Sequence, residues 1–312
     1  MFTHQPVLLE EVLDALSLDK HRDGVFVDAT FGRGGHSAAI LQRLSTQGKL
    51  IALDRDPAAI TAGRKRFEQE SRLCLVHRAF AHLQAALSDA GMTERKVSGV
   101  LFDLGVSSPQ LDDAERGFSF MRDGPLDMRM DNSSGISAAE WVAKISERDL
   151  QTIISEYGEE RFARRIANAI VAYRREHPIT STTQLAELID HAVPTREPGK
   201  HPATRTFQAI RIVVNAELEQ IQQAMNQVIE VLAPGARLCV ISFHSLEDQL
   251  VKHFMQMHSQ DDRMYAGLPE IPADKRAKLK RIGRAIHPTD AEVRRNPRAR
   301  SAILRVAEKV AA

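Results

Sequence analysis

Three aspartates, each closing a short apolar run, are the residues whose type and spacing could do chemistry. They are Asp28 after Val25-Phe26-Val27, Asp54 after Leu50-Ile51-Ala52-Leu53, and Asp103 after Val100-Leu101-Phe102. An apolar run that stops at an acid reads as a buried strand delivering a carboxylate to the sheet edge where ligands bind. After Asp28 the chain continues Ala29-Thr30-Phe31-Gly32-Arg33-Gly34-Gly35-His36, and its glycines allow a sharp turn and a close approach to a ligand. From His36 onward Ala39, Ile40, Leu41 and Leu44 recur at helical spacing, so the first amides of a helix would face whatever the glycines admit. Asp54 lies 20 residues beyond Gly34, about the separation at which a Rossmann-type unit sets a carboxylate on ribose hydroxyls.

The pattern departs from the dinucleotide fingerprint, because Ser37 stands where the third glycine is wanted. Asp-x-x-x-Gly-x-Gly with an acid closing the next strand resembles the nucleoside-binding half of a class I methyltransferase, whose S-adenosylmethionine has no pyrophosphate to accommodate. Phe80 follows a third short run, Cys74-Leu75-Val76-His77, where its ring could pack on adenine or simply belong to the core. After the fourth run comes Asp103-Leu104-Gly105-Val106-Ser107-Ser108-Pro109-Gln110-Leu111-Asp112. Amino-directed methyltransferases place a compact polar turn at this point. An exocyclic base nitrogen is a poor nucleophile, and an acceptor such as Asp103 can bond its protons, localise the lone pair and take up the positive charge that develops on attack. Asp103 has two other readings, as a ligand to the cofactor's amino group or ribose and as the cap of its own turn. Gln110 could donate to either substrate. Methylation at carbon would need a thiolate, and both cysteines, Cys74 and Cys239, sit inside strand-like runs rather than in turns after them.

The elements that position these residues alternate. A lead-in helix carries Val7, Leu8, Val12, Leu13 and Leu16 behind Pro6. Strands are predicted at about 25–28, 50–54, 74–77 and 97–103, separated by helices, one of them opened by Asp56-Pro57. This is the pattern of a parallel, doubly wound sheet. The alternation then stops, and from about Asp113 to Phe207 the pattern is helical or irregular, with helices predicted at 137–156, 159–176 and 182–192 and no convincing strand. A periodic helix over Asn215–Leu232 leads through Pro234-Gly235 to a strand at Arg237–Ser242, with a last strand near Ala302–Ala307. The sheet therefore resumes, and the middle reads as an insertion: residues 1–112 and 208–312 form a discontinuous α/β domain, and 113–207 an all-helical one.

Composition narrows the classes. Lys and Arg number 42 against 41 Asp and Glu, so a net charge of +1 gives no global field toward nucleic acid. From Ile271 to Ala312, however, 12 basic residues stand against 4 acidic ones, which suits either a phosphate backbone or a solvated tail. Two cysteines make neither a disulfide framework nor a zinc site. No apolar run approaches membrane-spanning length and no leader pattern opens the chain, so a cytoplasmic protein with no membrane partner is expected. No metal is indicated, although Asp112, Asp113 and Asp127 could hold one.

Long motifs carry a closer resemblance. The segments Asp28–His36, Asp103–Leu111, Arg116–Met130, Tyr157-Gly-Glu-Glu-Arg161, Lys200–Ala209, Ser242-Phe-His-Ser-Leu-Glu-Asp248 and Asn296–Ser301 together resemble the bacterial small-subunit ribosomal RNA methyltransferase H family, over nearly the whole chain. The resemblance implies a class I, Rossmann-like methyltransferase sheet with an inserted all-helical domain. It also implies transfer of methyl from S-adenosylmethionine to N4 of a cytidine in the decoding region, the P site, of 16S rRNA. The partner would be that rRNA within the small subunit or a late assembly particle, and monomer and homodimer both fit. Carried over by motif position, the cofactor contacts are Gly34, Gly35, His36, Asp54, Phe80, Asp103 and Gln110, with Asp103 also catalytic. Leu104, Gly105 and Val106 replace the proline-proline-aromatic turn of DNA amino-methyltransferases, which leaves Phe118, Phe120 and Phe243 as rings for the target base. For RNA phosphates the chain offers Arg116 to Arg129 and Arg161, Arg164, Arg165, Arg174, Arg175, Lys200, His201 and Arg205. Pairing with Glu159, Glu160 and Glu176 is the alternative for those on helices. His244 is either a substrate contact or a buried, hydrogen-bonded histidine.

Overall fold

The computed structural model describes residues 6–93, 96–197, 199, 201–265, 271–272 and 275–311. The chain divides into two compact units, Met1–Gly105 with Leu218–Ala312, and Val106–Glu217. No helix among the described residues is long and apolar enough to cross a membrane.

The first unit is built on a seven-stranded sheet. Its strands are β1 (Val25–Asp28), β2 (Lys49–Asp54), β3 (Leu73–His77), β4 (Val97–Asp103), β5 (Leu232–Ser242), β6 (Leu279–Arg281) and β7 (Ile303–Lys309), in the order β3-β2-β1-β4-β5-β7-β6. The first five are parallel, whereas β7 runs antiparallel to β5 and β6 antiparallel to β7. This is a doubly wound sheet with an antiparallel hairpin-like edge. Side chains of one strand alternate between two core layers. Val27, Ile51, Val100 and Val240 face one way, into a layer with Leu83, Leu87, Ile221, Val228 and Val251. Phe26, Leu50, Leu101 and Ile241 face the other, against Val12, Leu16, Ile40 and Leu41. Both faces are thus dry, which is why these strands read as unbroken apolar runs rather than as alternating ones.

The helices of this unit are α1 (Leu9–Ala15), α2 (Gly35–Arg43), α3 (Pro57–Arg66), α4 (Leu83–Asp89), α11 (Glu217–Val231), α12 (Ser245–Met257) and α13 (Asp290–Arg295). Asp56 caps α3 by accepting from Ala58 N–H at 2.9 Å, with Pro57 at the first helical position, as that dipeptide predicts. β5 begins earlier than expected, at Leu232. Pro234-Gly235 is absorbed by a register shift against β4, and Gly235 takes φ +81°.

The second unit is helical: α5 (Ser108–Asp112), α6 (Ala138–Lys144), α7 (Glu147–Gly158), α8 (Ala163–Arg174), α9 (Thr182–Ala192) and α10 (Ala203–Val214). The single helix predicted over 137–156 is in fact two. Ile145 turns extended (ψ 141°) and Ser146 starts a new helix by accepting from Asp149 N–H at 3.1 Å. Likewise the helix expected from 159 starts at Ala163, because Glu159 adopts a left-handed conformation at φ 51°. Leu150, Ile154, Ile166, Ile170, Leu185, Ile189 and Ile210 form the core of this unit. Buried Asn215 pins its irregular segment, donating to Met128 O at 2.7 Å and accepting from Met130 N–H at 2.8 Å.

Candidate active site

The order of strands reverses between β1 and β4: from β1 the chain adds β2 and β3 on one side, and from β4 it adds β5 on the other. Ligands of doubly wound sheets bind in the crevice at such a switch point, beyond the carboxyl ends of the strands. Asp28 and Asp103 are the terminal residues of the two strands that flank it. A single hydroxyl ties the two ends together, Thr30 Oγ1 accepting from Asp103 N–H at 2.6 Å. Asp28 is fully buried and accepts from the Ser37 hydroxyl at 2.6 Å and from Thr30 N–H at 3.2 Å. The departure at Ser37 therefore has a physical reason, since a glycine there would leave a buried carboxylate oxygen without its donor. Burial raises the Asp28 pKa, and Ser37, His36 and Thr30 pull it back.

The glycine turn is held by the second acid. Gly32 N–H donates to Asp54 Oδ2 at 2.7 Å, and Asp56 N–H donates to Oδ1 at 2.8 Å. Each oxygen keeps a further lone pair, enough for ribose hydroxyls. Burial pushes the Asp54 carboxyl up to about 6 against those two amides, and the charges of Asp56 and Asp28 push the same way as burial. Gly34 sits at φ +69°, and a Cβ there would lie 2.6 Å from the Phe31 ring. A Cβ on Gly35 would lie 2.5 Å from Pro6 Cγ. The local packing of Phe31 and Pro6 thus demands glycine at both positions whatever the turn binds.

At the centre stands the pair of His36 and Asp103. His36 is 5 % exposed, and its Nε2 lies 3.0 Å from the carbonyl oxygen of Val7. A carbonyl can only accept, so Nε2 carries a proton. The other ring nitrogen, Nδ1, faces Asp103 Oδ2 at 3.5 Å. The ring is therefore near enough to act on the Asp103 carboxyl by charge, at a separation longer than a good hydrogen bond. Burial pushes the Asp103 carboxyl up to about 6; His36 opposes this, while Asp28 and Glu247 reinforce it. Its other oxygen, Oδ1, is buried and makes no hydrogen bond among the described residues. A buried acceptor of this kind is costly to leave unmade, and it marks where a donor belongs.

The remaining expected residues divide. Phe80 is half-buried and packs one edge of its ring on Phe102 at 5.7 Å. Gln110 belongs to the second unit, where it is buried and its Oε1 accepts from Ser107 N–H at 3.0 Å in the capping box of α5. Of the three rings considered for the base, Phe118 lies in the core of the second unit and Phe120 packs at a tilt on His201 and edge to face on Phe207. Phe243, half-buried beside Gly105, is the one in the first unit. His244 stands at the start of α12, its Nδ1 accepting from Glu247 N–H at 3.5 Å and its Nε2 facing Glu247 Oε1 at 3.3 Å. Cys239 is buried and its thiol is pushed up to about 12 by that burial, which removes it as a nucleophile.

Several arginines serve the second unit itself. Arg116 donates to the carbonyls of Arg129 and Met130, and Arg129 clamps Asp127 with two nitrogens. Arg174 caps the carbonyl end of α6, reaching Val142 O and Ile145 O, and Arg205 pairs with Glu197. These partners are not the glutamates expected from helical spacing. Arg164 and Arg165 are exposed on α8 and make no hydrogen bond or ion pair among the described residues. Lys200 lies outside the described residues. Thr30 and Ser37 are the site residues that sequence reasoning missed; the only signal was their polarity inside an otherwise apolar strand-to-helix turn.

Residues 1–310 match the family model described as MraW methylase family. The chain is 52 % identical over 310 residues to the ribosomal RNA small subunit methyltransferase H of Coxiella burnetii strain CbuG_Q212, covering 99 % of this chain and 100 % of that one. It is 55 % identical to the proteins of the same name from Chromohalobacter salexigens, over 99 % of this chain and 92 % of that one, and Dechloromonas aromatica, over 98 % of each. With strand-end acids and a glycine turn in place at the switch point, and with similarity running the length of both chains, this protein belongs to the MraW methylase family.

Proposed function

We propose that the protein transfers a methyl group from S-adenosylmethionine to N4 of a cytidine in the decoding region of 16S rRNA, within the small ribosomal subunit or a late assembly particle in the cytoplasm. The observation that carries this reading is the buried Oδ1 of Asp103, an unmade acceptor at the switch point, with His36 Nδ1 3.5 Å from the other oxygen. The first unit offers what such a cofactor needs: Asp54 for ribose hydroxyls, the Gly32–Gly35 turn with the first amides of α2, the Phe80 ring for adenine, and carboxylates suited to a cationic donor. When bound, S-adenosylmethionine supplies an electrophilic methyl on a sulfonium.

The protein's own residues prepare the amine. As a carboxylate, Asp103 accepts a hydrogen bond from the N4 amino group, which localises the nitrogen lone pair and orients it for in-line attack. As the N–C bond forms and the methyl's bond to sulfur breaks, leaving the pair on a neutral thioether, the nitrogen becomes cationic and must lose one proton. Asp103 takes that proton, with His36 Nδ1 3.5 Å from its Oδ2. No enzyme nucleophile is needed. The helical segment 113–207, within the second unit, is the part that orients RNA in this reading, and the unpaired Arg164 and Arg165 are its phosphate contacts.

The test is incubation of the protein with methyl-labelled S-adenosylmethionine and small subunits lacking the modification, followed by digestion to nucleosides. Label in N4-methylcytidine is expected. Label in another nucleoside, or none in any ribosomal particle, would overturn the assignment.

A further inference from the structure

On the first unit a groove of about 790 Å³ opens between α12 and the β6–β7 edge. Lys252 from α12, Lys280 and Arg281 from β6, Arg284 from the segment after it and Arg305 from β7 all line it, and no carboxylate does among the described residues. Arg305 is committed, its guanidinium held by both oxygens of Asp248 at 2.7 and 2.8 Å. Lys280 stands across from Glu308, which is itself turned to Arg237 at 2.8 Å. Lys252, Arg281 and Arg284 are exposed and have no ion pair among the described residues. The floor is apolar, with Met255 and Leu279 both buried. The positive potential continues past the groove, where burial and the neighbouring charges of Lys278 and Lys309 together hold the His258 imidazole below its ordinary value.

Register connects this groove to the chemistry. The chain leaving β6 passes Arg284 and reaches Ile286, which bridges Leu304. Leu304 lies opposite Ile241, and Ile241 opposite Asp103. The cations thus climb the sheet edge toward the level of Asp103, roughly three strand spacings or about 14 Å to one side of it.

We infer that this groove binds the phosphodiester backbone of the same RNA whose cytidine enters at Asp103, a few nucleotides away, as a second anchoring site. The inference rests on the function proposed above for the substrate's class. A charged edge strand also guards a sheet against pairing with another edge, and one or two lysines suffice for that. Edge protection does not explain a concave site that gathers cations from a helix, a strand and a loop and that no acid among the described residues lines. A backbone lying along a cationic groove over an apolar floor is how single-stranded nucleic acid is held without reading its sequence.

The experiment compares the wild-type protein with Arg281→Ala/Arg284→Ala and, separately, Lys252→Glu. Filter binding to an unmodified small-subunit rRNA transcript is measured across salt concentrations. The double variant should lower the slope of log K against log salt by about 1.4, since each phosphate contact on a single strand contributes about 0.7. In methyl transfer it should raise KM for the subunit several-fold at unchanged kcat, with calorimetric affinity for S-adenosylmethionine unchanged as the check on folding. Lys252→Glu should move both readings the same way. An unchanged slope and KM would overturn the inference. So would variants that only self-associate, which would make the charges edge protection, or variants that lose binding to the particle but not to protein-free RNA, which would assign the groove to an acidic protein. If the wild-type protein binds RNA with the predicted slope yet methylates no cytidine, the proposed reaction fails and the groove stands.

Discussion

Asp103 must be ionised to take the proton that the attacking amine loses, and burial holds its carboxyl at about 6. Methyl transfer should therefore rise as pH passes through about 6 and level off above it, because the protonated acid has no charge to offer the developing cation. A pH–rate profile of kcat between 5 and 8 on small subunits would check this, and a flat profile would count against the role. The residue-scale chemistry was partly legible in advance. Asp54 and Asp103 announce themselves as acids ending apolar runs, whereas Thr30 and Ser37 do not. Their importance lies in bonds to Asp103 and Asp28 that only the folded chain brings within 2.6 Å. Arg116 and Arg174 were equally opaque, because their partners are backbone carbonyls 13 to 32 residues away and no side-chain pattern points to a carbonyl.

At the scale of elements, the turn from β1 into α2 is the most constrained piece. Phe31 is buried between two glycines: a Cβ on Gly34 would meet its ring at 2.6 Å and a Cβ on Gly63 of α3 at 2.5 Å. The ring cannot retreat from one without striking the other. Gly34→Ala adds a left-handed backbone penalty of about 1 kcal/mol and an overpacking cost of roughly 1–3 kcal/mol. It should therefore lower unfolding free energy by about 3 kcal/mol, read from the denaturant midpoint at constant slope, and a change below about 1 kcal/mol would contradict this packing account. The glycine spacing revealed the turn, but the demand for glycine comes as much from Phe31 and Pro6 as from any ligand. Helices were legible wherever apolar spacing ran unbroken, as over α9 and α11. The break at Ile145 was not, because Ser146 is a competent helix residue until its side chain caps Asp149 N–H.

For the whole molecule, the buried acids set a pH dependence opposite to that of ordinary paired carboxylates. Burial lifts the Asp54 and Asp103 carboxyls from the ordinary aspartate value of 3.8 to about 6 in the folded chain. Their contribution to stability is complete below about 4 and is lost as pH rises through about 6, at most on the order of 3 kcal/mol each. Paired acids such as Asp127 and Glu70, whose pKa values are lowered, lose theirs instead as pH falls. Calorimetric melting without ligand should thus decline between pH 5 and 7.5, and Asp54→Asn should flatten that decline. A wild-type Tm that climbs over this range and is indifferent to the substitution would refute it. The stored cost is what binding of a cationic donor among these acids would relieve.

The central claim is that Asp103 orients and deprotonates the attacking amine. It is tested most directly by the single-turnover rate of methyl transfer to small subunits for Asp103→Asn at saturating S-adenosylmethionine. The account predicts a rate lower by about 10²–10⁴-fold, the usual contribution of a positioned acid or base, with the cofactor still bound. A rate within a few-fold of wild type would contradict it.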